Sequence, residues 1–334
     1  MDRTFGSLVV ALAFGPLIAS ASSSGPPAFK WPARCILGAS CVIQNYVDHD
    51  PGPGTRDFNC GTLTYNKHSG VDIRLRTLRQ QMAGVDVLAA ADGKVLRVRD
   101  GVIDQSVRVR GEAEVKGQDC GNGVVVDHGG GWQTQYCHMA KGSLAVKPGE
   151  AVRAGDRLGA IGLSGMTEYP HLHFTVRHDA EVIDPFVKAG TTPSCGANGD
   201  GGLWDPALGL KGAYRARVVL NAGLTTAPPT MAGIESGDVE QAAARRDANL
   251  LAYVRAIGLK AGDTPGLRLI DAKGAVLAEN ELPTLDRDKA QHLIYVGRKA
   301  PGGGWAPGVY RAVYQVKHDG KVVLSQEFRA TVGP

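Results

Sequence analysis

Tyr169-Pro170-His171-Leu172-His173-Phe174-Thr175-Val176-Arg177 makes a poor helix and a good strand. Pro170 disfavours a helix interior, and Phe174, Thr175 and Val176 favour extended backbone. Successive side chains of a strand point to opposite faces. His171, His173 and Thr175 therefore share one face, while Leu172, Phe174 and Val176 turn towards a core. On a helix, residues two apart lie on different faces, and the same two imidazoles would not easily serve one centre. Side by side on a pleated surface, they begin a metal site.

Other donors lie upstream. In Tyr65-Asn66-Lys67-His68-Ser69-Gly70-Val71-Asp72-Ile73-Arg74-Leu75, the apolar residues Val71, Ile73 and Leu75 alternate with Asp72 and Arg74, as in a half-buried strand. His68 and Asp72 are four apart, an even spacing that returns both to one side of a strand. Val124 to His138 reads as a hairpin, with the glycines at 129, 130 and 131 supplying the positive φ angles of its turn. Alternation puts Thr134, Tyr136 and His138 on one face and Cys137 on the other, and His128, beside those glycines, reads as a turn residue. The loop at 45–50 reads as a surface loop pinned by cysteines; a second reading has Asn45, Asp48 or His49 leaning over the groove. The collected candidates are His68, Asp72, His138, His171 and His173.

With 334 residues the chain has room for two domains and their cores. Its 45 glycines and 18 prolines, set among short Val, Leu and Ile runs, predict many turns joining short strands, hence an all-β class. Val87 to Val98 reads as two short strands about the Asp92-Gly93 turn, and residues 99–119 as a charged excursion from the sheet. The turns of residues 146–162 are like those of the small hybrid barrel used by lipoyl and biotinyl carriers. The Met-Lys-Met of a carrier hairpin is missing, which argues against a carrier role.

The formal net charge of +4 is mild and its cations are dispersed, so no nucleic-acid stripe is present and no nucleic-acid partner is expected. Arg3, the apolar run Leu8 to Ile18 and the small residues Ala19-Ser20-Ala21 read as a signal peptide cleaved near Ala21. The run is too short for a membrane span, so a secreted or periplasmic protein with no stable membrane anchor is expected. Six cysteines follow, and an even count in an exported chain points to disulfides. Proximity favours Cys35 with Cys41 and the hairpin favours Cys120 with Cys137, leaving Cys60 with Cys195. Oligomeric state is not legible.

HSGVD at 68–72, YCHM at 136–139 and PHLHF at 170–174, in this order, resemble the lysostaphin-type, or LytM-like, zinc metallopeptidases over about residues 60–190. The resemblance implies zinc held by His68, Asp72 and His173. It makes His138 and His171 the catalytic pair that polarises water and stabilises the tetrahedral intermediate. It also implies peptidoglycan as partner and substrate, cut in its peptide stems or cross-bridges. This chain departs from the family at Tyr169, where a small residue is common, and at Thr175, where a glutamate is common.

The expected organisation is a signal peptide over 1–21, a flexible lead-in over 22–34 and a zinc peptidase domain over 35–195. A linker over 196–212 and an immunoglobulin-like domain over 213–334 follow. The fold class is all-β, a hybrid-barrel, antiparallel-sheet peptidase domain followed by an immunoglobulin-like β-sandwich whose His292 and His318 read as plain surface residues. The rival readings are a non-catalytic regulator of cell-wall amidases and a wall-binding protein.

Overall fold

The computed structural model describes residues 25–192, 195–196, 201–239 and 245–333. The leader expected over 1–21 lies outside them. Among the described residues no helix is long and apolar enough to cross a membrane.

The chain is nearly all strand. The first half holds β1 Cys41–Asn45, β2 Val71–Leu75, β3 Asp86–Leu88, β4 Gly93–Arg99, β5 Asn122–Gly129, β6 Trp132–Met139, β7 Ala151–Val152, β8 Arg157–Ala160, β9 His171–His178 and β10 Glu181–Ile183. One antiparallel sheet runs in the order β1-β2-β9-β6-β5-β4-β7, with β10 added beside β9. The strands either side of Asp92-Gly93 exist but do not form a hairpin: β3 pairs with β8, and β4 with β5 and β7. The excursion at 99–119 carries two short helical turns, Val107–Arg110 and Glu112–Val115.

Alternation along β9 runs as the sequence dictates. Leu172, Phe174 and Val176 are fully buried in a core shared with Ile73 of β2 and Tyr136 of β6. Phe29, Leu203 and Trp204 join the same core, so chain from both the expected lead-in and the expected linker packs against this sheet. All three cysteine pairs are bonded: Cys35–Cys41, Cys60–Cys195 and Cys120–Cys137.

The second half holds β11 Val218–Thr225, β12 Leu250–Leu259, β13 Asp263–Ile270, β14 Val276–Glu281, β15 Lys289–Arg298, β16 Gly308–His318 and β17 Lys321–Val332. They form a three-stranded sheet β11-β12-β15 and a four-stranded sheet β14-β13-β16-β17. Both sheets feed one apolar cluster, with Val254 and Leu259 from one and Leu267, Tyr310 and Tyr314 from the other. His318 is not a plain surface residue, because its Nδ1 lies 2.9 Å from the buried Asp263 carboxylate.

A small cluster of Val42, Leu220 and Ile257 joins the two halves. Beside it, Glu235, on the short helix Met231–Ser236, takes hydrogen bonds from both Arg74 of β2 and Arg255 of β12. The two guanidinium side chains are at 0% and 1% exposure. The second half thus covers one end of the first sheet.

Candidate metal and catalytic centre

Register brings the donors together. Asn45 of β1 pairs with Asp72 of β2, Asp72 with His173 of β9, and His173 with Cys137 of β6. Directly opposed residues share a face, so one row across four strands carries a carboxylate and an imidazole side by side. His171 stands one step along β9, opposite Arg74. His68 comes from the turn before β2 rather than from a strand, and it reaches Asp72 Oδ1 at 3.1 Å. Gly70 permits that turn to lie against β9: a Cβ there would meet His173 Nε2 at 2.7 Å and the Phe174 carbonyl oxygen at 2.7 Å.

His138 arrives by a different route. Thr134 and Tyr136 are fully buried and bond to each other inside the core, which overturns the expectation that they share a face with His138. The groove side of β6 is Gln135 and Cys137. His138 joins them because its φ is +61°, a left-handed kink that flips it to the side of the preceding residue. Its amide is held by the Cys120 carbonyl at 2.8 Å, beside the Cys120–Cys137 disulfide.

Three ligand atoms converge. His68 Nε2, Asp72 Oδ1 and His173 Nδ1 are separated by 3.1, 2.9 and 3.1 Å. A tetrahedral ion with bonds of about 2.0–2.1 Å holds its ligand atoms about 3.3 Å apart, so the spacing suits a divalent metal. A second overlapping set, His138, His171 and His173, also falls within ligand reach. It lacks a carboxylate, and its rings are more widely spread, with His138 and His173 centroids 6.0 Å apart.

Each imidazole is oriented by its far nitrogen. A carbonyl oxygen only accepts, so His68 Nδ1, 2.6 Å from the Tyr46 carbonyl, carries the proton and leaves Nε2 bare. The same logic applies to His138 Nδ1 on the Ser164 carbonyl at 2.7 Å and to His171 Nδ1 on the Tyr169 carbonyl at 3.0 Å. His173 is reversed: Nε2 pairs with Thr175 Oγ1 at 3.1 Å and Nδ1 faces the cluster. Asp72 is steadied by Asn45 Nδ2, which donates to Oδ2 at 2.9 Å.

The charges agree with this arrangement. Burial alone would raise the Asp72 pKa, but His68, His171 and His173 around it hold the carboxyl well below its ordinary range. Burial, reinforced by His171 and His173, pushes His138 well below an ordinary imidazole, so it is neutral at neutral pH. Burial also lowers His173. For His68, burial opposes protonation, but Asp72 and the Tyr46 carbonyl outweigh it and the pKa is raised. A divalent cation bound there takes the proton's place. The groove above these residues has a volume of about 270 Å³.

Sequence reasoning found the five polar residues that meet here and missed most of what supports them. Ser164, Thr167 and the Tyr46 carbonyl are invisible as motifs. Thr175 carries no motif, and the structure gives it an orienting contact to His173. Arg74 carries no motif either, yet its guanidinium carbon sits 3.9 Å from the centre of the Tyr169 ring. Of the loop at 45–50, Asn45 touches the cluster, while Asp48 accepts from the amides of its own loop and of Lys67.

Residues 66–185 match the family described as Peptidase family M23. The cell division protein DipM of Caulobacter vibrioides is 28% identical over 186 residues, covering 54% of this chain and 24% of that protein. The DD-carboxypeptidase/endopeptidase Mpg of Neisseria meningitidis is 33% identical over 110 residues, or 33% of this chain and 23% of that one. The peptidoglycan DD-endopeptidase ShyB of Vibrio cholerae is 32% identical over 93 residues, or 28% and 18%. The chain therefore spans no more than about a quarter of the length of these relatives.

Proposed function

We propose, from the premise that residues 66–185 are a Peptidase family M23 domain, that the chain is an exported zinc metalloendopeptidase that hydrolyses peptide bonds of peptidoglycan. In this reading His68, Asp72 and His173 hold the zinc, and His138 and His171 are catalytic. The observation that carries it is the convergence of three ligand atoms at about 3 Å with two further imidazoles alongside. Two nitrogens and one carboxylate oxygen leave a fourth position open, the pattern of a hydrolytic rather than a structural site.

Zinc, when bound, supplies Lewis acidity and lowers the pKa of a coordinated water from about 15.7 towards about 7. The chain's own residues do the rest. His138 and His171, anchored through Nδ1, present Nε2 as a proton acceptor beside the cluster. One takes the proton of the attacking water. The resulting imidazolium stabilises negative charge developing on the scissile carbonyl oxygen, then returns the proton to the leaving amine. Asp72 keeps its charge throughout, because its environment disfavours the neutral form.

Three disulfides among the described residues suit an oxidising compartment, which supports a secreted or periplasmic location. The second half is read as an immunoglobulin-like domain that serves as a fixed companion of the catalytic sheet. Purified cell wall incubated with the zinc-loaded protein should release peptides with new free amino groups and leave glycan strands uncut, and a chelator should stop the release. Metal analysis that finds no stoichiometric zinc, with no new amino groups, would instead favour the non-catalytic regulator.

A further inference from the structure

The groove does not continue along β2 past the cluster. On the Asp72 side, the next outward-facing residue of β2 is Arg74, buried beneath Tyr169 and the second half through Glu235 and Gln291. Beyond His173 the groove wall continues along Thr175 and Arg177 of β9 and Gln135 of β6.

That stretch is cationic. Thr175 of β9, the neighbour of His173 on the groove face, pairs with Gln135 of β6, Gln135 with Val125 of β5, and Val125 with Arg97 of β4, so one register row runs from beside the metal cluster to Arg97. Arg177 lies two residues beyond Thr175 on the same face of β9, and its Nη1 donates to Gln135 Oε1 at 2.8 Å. Gln135 is itself fixed, because its amide nitrogen Nε2 lies 3.3 Å from both sulfurs of the Cys120–Cys137 disulfide. Arg177's bonded partner is thus a neutral amide, and the neighbouring charge that bears on it is Arg97, of the same sign. A second depression of about 210 Å³, lined by Arg97 and Arg99, shares Cys120 and Gln135 with the main groove and continues it. Asp119, also on the groove wall, precedes Cys120, and its carbonyl accepts from the Met166 amide.

We propose that Arg177, positioned by Gln135 and backed by Arg97, is a subsite for a carboxylate on the peptide substrate, so that the chain selects free-acid over amidated peptides. Four strand residues from the metal-facing His173 to Arg177 cover about 13 Å, or about four residues of an extended peptide. The recognised carboxylate therefore lies about four residues from the bond that is cut. A guanidinium offers two parallel N–H groups to a carboxylate and no comparable match to a neutral carboxamide. This inference rests on the peptidase reading for the identity of the ligand, and its test separates the two.

The test titrates one cross-linked wall peptide, in free-acid and fully carboxamidated forms, against the full zinc-loaded chain carrying His138→Ala, by calorimetry. The acid form should bind about tenfold or more tightly, an advantage that shrinks with salt. Adding Arg177→Gln should remove that advantage and leave binding of the amide unchanged, while Arg177→Lys should restore part of it. Equal binding of the two forms, no binding of either, or an equal loss of both in Arg177→Gln would overturn the subsite. Tighter binding of the acid form with hydrolysis of neither form by the chain with His138 intact would leave the subsite standing and sink the peptidase reading.

Discussion

Replacing Glu235 by glutamine tests how the two halves are held. The carboxylate accepts from Arg74 and Arg255, whose side chains are almost wholly removed from water. Arg74 keeps Gln44 at 2.8 Å and Gln291 at 3.2 Å, and Arg255 keeps Asn221 at 2.8 Å and the Arg76 carbonyl at 2.8 Å. Those neutral partners satisfy hydrogen bonds and cancel no charge. Breaking a buried ion pair by removing one partner costs about 3–5 kcal/mol. Glu235 is itself 20% exposed and part of the lost interaction is solvent-screened, which favours the lower end, about 3 kcal/mol. With a urea m-value of about 3 kcal/mol/M, the midpoint should fall by about 1 M. The assay is urea unfolding at pH 7 of chelator-washed protein, so that metal binding does not mask the change. High salt should not erase the difference, because screening acts weakly on buried pairs. Replacing all three residues with apolar ones of similar volume should recover most of the loss. A Glu235→Gln midpoint within about 0.2 M of the parent would refute the reasoning.

Asp72→Ala and His173→Ala should lose zinc and activity together, whereas His138→Ala should keep its zinc and lose turnover by about 10²–10⁴-fold; metal analysis beside wall digestion checks both. Thr175→Val removes the partner of His173 Nε2 and should weaken zinc binding by about 10–100-fold, while Thr175→Glu should strengthen it, as read by chelator competition. At Asp263 burial opposes the charge, but Arg217, the Lys260 amide and His318 hold the carboxyl below its ordinary value. A depressed folded-state pKa gives stability that is present above about pH 3.9 and is lost as pH falls through the folded value. Asp263→Asn should therefore cost about 2 kcal/mol at pH 7, and the gap should close below about pH 4. A gap that persists unchanged at low pH would rule this out.

What the sequence makes legible is local. Period-two alternation settles which side of β9 carries His171 and His173, because Leu172, Phe174 and Val176 enter the hydrophobic core while His173 and Arg177 between and beyond them line the groove. The same rule fails at His138, where one left-handed residue reverses the facing and no side-chain pattern records it. His68 and Asp72 were grouped by even spacing, but a turn and a glycine, not a strand, bring them together. The apparent hairpin at Asp92-Gly93 is two strands belonging to different sheets, since pairing is set by distant partners. The tie between Arg74 and Glu235 spans 161 positions, and only the assembled fold brings them together.

Strand β2 is five residues long and holds both halves of this design: Asp72 faces the ligand cluster, and Arg74, its neighbour on the same face, anchors the second half. Tyr169 bridges them, stacked on Arg74 and in contact with the Asn45 amide that steadies Asp72. Linkage then works both ways. Whatever loosens the docked second half should weaken the grip on the ion, and stripping the ion should loosen that half by the same factor.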